Sequence, residues 1–316
     1  MTEKTFEPSQ VHQFFRLLQL GNREAVVELR AFDENDQSQN TFSGYFDNEE
    51  AFVRAAKVAI EHRDGVYVTI NVLNPQLLCR SANRAKAFTQ ITTSDGDILK
   101  RRYLPIRIDA LRPVGTPSSE EQHEAVIQRC RCVFQYLRYT DYSEPIVVDS
   151  GNGAYLLLPI DFQNDDASKR EVQKLLEELG EKFNDEWVKV DVSVFNAAQI
   201  MRLPGTQNRK GDNLPGFPHR MCRILYIPST LRTYTETSLL EKEAECLSSL
   251  SLLNPYKETD FQDQVIQIPG GCPISFREYQ QALWSTPERN FGLSRHSRAR
   301  SLIKSLNCKG RKKEAL

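Results

Sequence analysis

The 316-residue chain has no long apolar run. Segments such as 154–158 are among its longest, far below the ~20 residues that a membrane-spanning helix needs. No apolar segment follows Met1-Thr2-Glu3-Lys4, so no secretory leader is expected. Cysteines are few and odd in number, seven, and none stands in Cys-x-x-Cys spacing. That argues against a zinc ribbon and against a disulfide scaffold. Cys130 and Cys132, two apart in a helical pattern, should face different sides. All seven are expected as reduced thiols, which points to a cytoplasmic location. There is no Gly-x-x-x-x-Gly-Lys-Ser/Thr segment, hence no P-loop engine to unwind a duplex. Aromatic residues make up 9%, and no stripe of them suggests stacking on a single strand. Charge of one sign is also missing: 41 basic residues stand against 42 acidic ones. The overall balance therefore predicts no nucleic-acid partner.

What is present is a globular composition, 40% hydrophobic and 26% charged, enough to bury a sizeable core. Basic residues do gather from Arg295 to Leu316, where eight Lys/Arg meet one acid. Such a tail either binds phosphates or is a solvated terminus. The periodicity predicts helices over 1–31, ahead of a strand at Ala25–Leu29, and over Asn48–His62. A loop is expected across Asp33–Ser43 and strands at 66–70, 103–109, 145–149, 154–158, 188–192 and 220–227. Capping boxes at Ser118/Glu121 and Ser168/Glu171 open two further amphipathic helices. The mixed order, with a hairpin, favours an α+β sheet packed by helices. Past residue 230 the pattern weakens, giving domains of 1–230 and 231–316. The second is expected to be a small helical appendage with the basic tail.

Three segments could carry chemistry. In Ile106-Arg107-Ile108-Asp109, strand alternation puts Arg107 and Asp109 on one face. Asp191 ends a similar strand. Acids at strand ends either hold a hard cation such as Mg²⁺ or Mn²⁺ or are surface acids beside a turn. Ser150-Gly151-Asn152-Gly153 is an anion nest or simply a hairpin turn. The loop from Arg202 through Asn208, Arg209 and Lys210, with His219-Arg220 following, suits triphosphate or polynucleotide contact or is a solvated basic turn.

Taken in order, these segments resemble the archaeo-eukaryotic primase superfamily, in its primase-polymerase branch on phages, plasmids and mobile elements. The resemblance spans about Gly65 to Pro228. Arg107-Ile108-Asp109-Ala110-Leu111-Arg112-Pro113 stands where that family has Asp-x-Asp and then Arg-Pro. Ser150-Gly151-Asn152-Gly153-Ala154-Tyr155 stands where it has Ser-Gly-x-Gly-x-His. Asp191-Val192-Ser193 resembles its single-Asp motif, and Arg202-Leu203-Pro204-Gly205-Thr206-x-Asn208-Arg209-Lys210 resembles a signature of the branch.

The resemblance implies an RRM-like catalytic core with an N-terminal α/β module. It also implies three carboxylates holding two divalent ions, Mg²⁺ or Mn²⁺, and a histidine on the triphosphate. Here only Asp109 and Asp191 remain as residual catalytic and metal residues, because Arg107 and Tyr155 occupy the other seats. A guanidinium is always protonated and ligates no metal. The expectation is a degenerate module that binds DNA or a nucleoside triphosphate through Arg112, Ser150, Asn152, Tyr155, Arg202, Asn208, Arg209, Lys210 and Arg220. It would serve a replication, mobile-element or defence complex beside a protein partner such as a helicase, away from membranes. The alternatives are an active DNA primase or polymerase with an altered metal site, and a protein-interaction scaffold.

Overall fold

A computed structural model describes residues 5–33, 40–113, 115–140 and 142–235, together with the backbone at 265–266 and 274–275. The chain divides into two compact units, 1–243 and 244–316.

In chain order the first unit runs α1 (Pro8–Leu18), β1 (Val27–Phe32), β2 (Phe42–Phe46), α2 (Glu49–His62), β3 (Gly65–Thr69), β4 (Val72–Leu73) and β5 (Arg84–Lys86). It continues with β6 (Ile98–Ala110), α3 (Glu120–Tyr139), β7 (Ile146–Asp149), β8 (Gly153–Gln163), α4 (Asp166–Phe183) and β9 (Val188–Val190). Short strands follow: β10 (Ile200–Arg202), β11 (Gln207–Asn208), β12 (Arg220–Met221), β13 (Arg223–Tyr226) and β14 (Tyr234–Thr235). In the second unit, β15 (Val265–Ile266) and β16 (Ile274–Ser275) pair antiparallel.

Two sheets organise the first unit. One has the order β10-β3-β1-β2-β5, antiparallel throughout. The other is built on β6-α3-β7-β8-α4-β9. The pairs β7·β8, β8·β6 and β6·β9 are all antiparallel, so these four strands lie side by side as β7-β8-β6-β9. A β-α-β-β-α-β chain with that strand order is the split-βαβ arrangement of RRM-like sheets. β13 and β4 extend it, and β14 runs parallel to β8. The α+β, RRM-like expectation therefore holds in the pairing.

Alternation along β6 assigns the faces. Leu104, Ile106 and Ile108, with Ala154 and Leu156 of β8 and Val188 and Val190 of β9, pack with Val126, Val133, Leu175 and Leu176 of α3 and α4. Tyr103, Val148, Tyr155 and Leu157 turn the other way and pack with Phe14, Phe15, Phe46 and Phe52 of the N-terminal module. Those four phenylalanines are fully buried, each contributing about 1.5–3 kcal/mol. β6 carries a bulge between Arg101 and Tyr103. Asn71 holds it, its Oδ1 accepting from the N–H groups of Arg102 at 2.8 Å and Tyr103 at 3.1 Å.

Several local expectations are corrected. The first helix ends at Leu18 rather than continuing to 31, because a turn separates it from β1. The polar loop stops at Phe42, where β2 begins. The cap of α3 is Ser119, boxed with Gln122, because the hydroxyl and N–H of Ser118 are turned onto Asn152. The cap of α4 is Asp165, whose carboxylate accepts from the N–H of Ser168. The last expected strand is broken at Cys222 into β12 and β13. Residues 234–235, expected to be helical, form β14. Most of the expected helical C-terminal region lies outside the described residues, as does the basic tail, and the part described is the β15·β16 pair. Cys130 is buried and Cys132 exposed, as the helical spacing implied. Among the described residues no helix is long and apolar enough to cross a membrane.

Candidate nucleotide or nucleic-acid site

The face of the RRM-like sheet that turns away from α3 and α4 carries the charged residues. Arg107 and Asp109 are neighbours on β6, and Arg107 Nε lies 2.8 Å from Asp109 Oδ2. Arg107 Nη1 lies 3.5 Å from Asp191 Oδ2. The backbone brings Asp191 there, since its N–H donates to the carbonyl of Arg107 at 2.8 Å. The other oxygen of Asp191 accepts from the N–H and hydroxyl of Ser193 at 3.0 and 2.6 Å. The side chains of Asp109 and Asp191 are 12% and 21% exposed, and that of Arg107 is 35% exposed. One guanidinium thus spans two carboxylates at a partly sheltered place, where the attraction exceeds that of a fully solvated pair.

Cross-strand partners complete the group. Tyr155 stands opposite Arg107, and Gly153 opposite Asp109. A Cβ on Gly153 would meet Asp109 Oδ1 at 2.6 Å and the Ile108 carbonyl at 2.6 Å, so only glycine lets the carboxylate lie against β8. Burial pushes the Tyr155 phenol upward, so it keeps its proton at neutral pH. The Tyr155 oxygen, then Asp109 and Asp191, raise the Arg107 guanidinium above its ordinary value against the opposing effect of burial. On the far side, Lys189 of β9 is the partner of Asp109 and is exposed. Directly opposed residues point to the same face. Lys189 is the site residue that sequence reasoning missed.

The donor set does not fit a pair of divalent ions. Two cations, Arg107 and Lys189, share the face with two anions, Asp109 and Asp191. A two-metal centre needs bridging anionic ligands between ions about 3.5–4 Å apart. Here the Asp oxygens that would bridge are turned onto a fixed cation. Asp95 and Asp97 cannot replace them. Both precede Ile98, the first residue of β6, and at ~3.3 Å per residue roughly 35 Å of strand separates that end from Asp109. They are also engaged locally: Asp95 accepts from the N–H of Ala198, and Asp97 caps Ser94 and pairs with Arg80. Among the described residues no three His, Cys, Asp or Glu side chains gather as a metal cluster.

The hairpin turn joins a second network. Gly151 adopts φ +86°, and its N–H donates to Asp149 at 2.7 Å. The Ser150 hydroxyl accepts from the N–H of Gly153 at 3.0 Å. Asn208 donates to the Ser150 carbonyl at 2.7 Å. Asn152 is turned inward onto Ser118, leaving its Nδ2 buried without a hydrogen-bond partner. Arg220 donates to the Ser118 carbonyl at 2.9 Å and lies 3.1 Å from Glu120. His123 of α3 meets Asp149 at 3.0 Å.

The basic loop is largely folded inward. Arg202 is 3% exposed, its guanidinium over the Tyr67 ring at 4.9 Å and bonded to the Tyr67 hydroxyl at 2.9 Å. Tyr67 in turn stacks on Phe32. Arg209 lies 3.4 Å from Asp64. The N–H of Lys210 donates to Asn208 at 3.3 Å, and His219 contacts the Gly211 carbonyl at 2.8 Å. The structure therefore gathers Arg107, Asp109, Tyr155 and Asp191 in one place and Ser150, Asn152, Asn208 and Arg220 in another. Arg112 lies half-buried just past β6.

Neither a family model nor a curated protein matches the chain. Among the solved structures similar to it are the following three. The AEP domain of the cyanophage S-2L primase-polymerase is 11% identical with a TM-score of 0.46, covering 75% of this chain and 98% of that one. Primase RepB' is 11% identical with a TM-score of 0.40, covering 76% and 65%. The polymerase domain of Mycobacterium tuberculosis ligase D, solved in complex with DNA, is 13% identical with a TM-score of 0.38, covering 76% and 89%.

Proposed function

We propose that this chain is a primase-polymerase-like module that binds nucleic acid or a nucleoside triphosphate without two-metal nucleotidyl transfer. The observation that carries the reading is Arg107 lying against both Asp109 and Asp191. A cation that cannot be deprotonated takes the position from which a third carboxylate would hold ions. With Lys189 beside it, the face offers phosphate oxygens two positive partners instead of a metal. DNA is the first ligand to test, given the motifs the sequence resembles. In this reading the chain is a binding subunit of a replication, mobile-element or defence complex in the cytoplasm, and a partner protein supplies any unwinding.

A filter-binding titration against single strands, duplexes and nucleoside triphosphates across salt tests it. Binding that weakens with rising salt is expected, and affinity for none of the three overturns it. A second reading has Arg107 stand in for one ion during transfer, since guanidinium groups stabilise phosphoryl-transfer charge. It is favoured by the 35% exposure of that side chain. Labelled-nucleotide incorporation on a primed template with Mg²⁺ or Mn²⁺, abolished by Asp109→Ala, would favour this second reading over the first.

A further inference from the structure

Across the first sheet from Arg202 on β10 lies its opposite edge, β5. Four strand spacings of ~4.8 Å separate the two, about 19 Å. Two non-glycine residues have positive φ among the described residues, Asn83 at 51° and Phe88 at 58°, and they bracket β5. For Asn83 the reason is local: its Oδ1 accepts from the N–H groups of Asp47 and Asn48, and its amide donates to Asp47. Asparagine also tolerates this conformation.

Phe88 has no such reason. A bulky residue is strained in the left-handed region, and Phe88 is 68% exposed, so burial does not offset the strain. The backbone around it is fixed from both sides. Thr89 donates its N–H to the Thr41 carbonyl at 2.9 Å and its hydroxyl to the Lys86 carbonyl at 3.0 Å. β5 is also clamped to β2 at Gly44, where a Cβ would meet the Arg84 carbonyl at 2.2 Å. An aromatic ring is thus held outward on a rigid base, with Ile91, also 68% exposed, three residues on.

The segment that carries this ring has charge of one sign in sequence. From Leu77 to Ser94 the chain carries Arg80, Arg84 and Lys86 and no acid. Arg84 and Lys86 alternate on β5 and both are exposed. Nearby acids are occupied: Asp97 pairs with Arg80, and Asp47 is bonded to Asn83. A three-residue edge strand bearing two cations is a poor template for an added peptide strand. Phosphates match its charge, and an unstacked base matches the ring.

We infer that the β5 edge, through Phe88, Arg84 and Lys86, holds single-stranded nucleic acid by stacking one base on Phe88 and pairing the backbone with the two cations. This deepens the proposed function and rests on it in part, since it names the class of nucleic acid and a surface apart from Arg107.

The test is fluorescence anisotropy of the full chain with labelled oligo-dT and with a blunt hairpin duplex. Phe88→Gly suits the left-handed backbone, so its melting temperature should match or exceed that of the parent chain. Its oligo-dT affinity should nevertheless fall roughly five- to hundred-fold, with duplex binding little changed. Phe88→Trp should retain single-strand binding. Arg84→Ala and Lys86→Ala should each lower the salt slope by about 0.7. Folded Phe88→Gly with unchanged oligo-dT affinity overturns the inference. So does a parent chain that binds duplex or nucleoside triphosphate but no oligo-dT, which leaves the proposed function standing. A parent chain that binds none of them overturns both.

Discussion

Arg107 and Asp109, separated by one isoleucine on the same strand, meet through Nε and Oδ2 at 2.8 Å, and Asp191 closes on the same guanidinium from the end of β9. Strand alternation makes the first contact possible, and the hydrogen bond from the N–H of Asp191 to the Arg107 carbonyl makes the second. Removing the cation while keeping its bulk exposes what it does. Arg107→Met leaves two partly sheltered carboxylates without their partner, and we expect a loss of about 1–2 kcal/mol in urea unfolding. Added Mg²⁺ should restore part of that loss in the variant and leave the parent chain unaffected.

Gly153→Ala tests the close approach of β8 to β6. The added methyl group would stand 2.6 Å from both Asp109 Oδ1 and the Ile108 carbonyl. One of these is backbone in the middle of the sheet, so the strands must separate. The expected cost is about 2–4 kcal/mol, read as a lower urea midpoint with an unchanged m-value.

Arg202→Lys tests whether this residue is held by the fold. Lysine keeps the charge but loses the flat guanidinium over Tyr67 and the directed bond to its hydroxyl. A loss of about 1–2 kcal/mol is expected, with the oligo-dT salt slope unchanged. In Arg202→Gln, which removes the charge, a slope lower by about 0.7 with stability held would instead make Arg202 a phosphate contact.

The buried thiols set an alkaline limit. Burial pushes Cys130 up to about 12 and raises Cys222 as well, whereas an unfolded thiol titrates near about 8.5. A folded value above the unfolded one means that the stabilisation is complete below pH ~8.5 and declines as pH rises toward the folded value. Urea midpoints should therefore fall from about pH 8.5 upward, and less steeply in Cys130→Val. Peptide mapping after brief alkylation should find Cys79, which is exposed, labelled well before Cys130 and Cys222.

Much of this site was legible in the sequence because it depends on local rules. Period-two alternation put Arg107 and Asp109 together, and the Gly-rich turn fixed the β7–β8 hairpin. What was not legible depends on register between distant strands. Lys189 joins the site only through the pairing of β6 with β9, eighty residues apart in the chain. Arg202 reads as a loop cation until β10 pairs with β3 and lays it on Tyr67. The α3 cap shifted by one residue because Ser118 had a competing partner in Asn152, which no helix rule contains. Phe88 was hidden for a related reason: one exposed aromatic in a 9% background has no periodicity to reveal it, and only its backbone conformation sets it apart.

The claim on which the account turns is that a fixed cation has replaced the ions. Manganese titration followed by electron paramagnetic resonance, on the parent chain and on Arg107→Asp, addresses it directly. The account predicts no stoichiometric Mn²⁺ at low micromolar metal for the parent chain, and bound Mn²⁺ once an aspartate stands at position 107. Two Mn²⁺ per parent chain, lost in Asp109→Ala and accompanied by templated nucleotide incorporation, would contradict it.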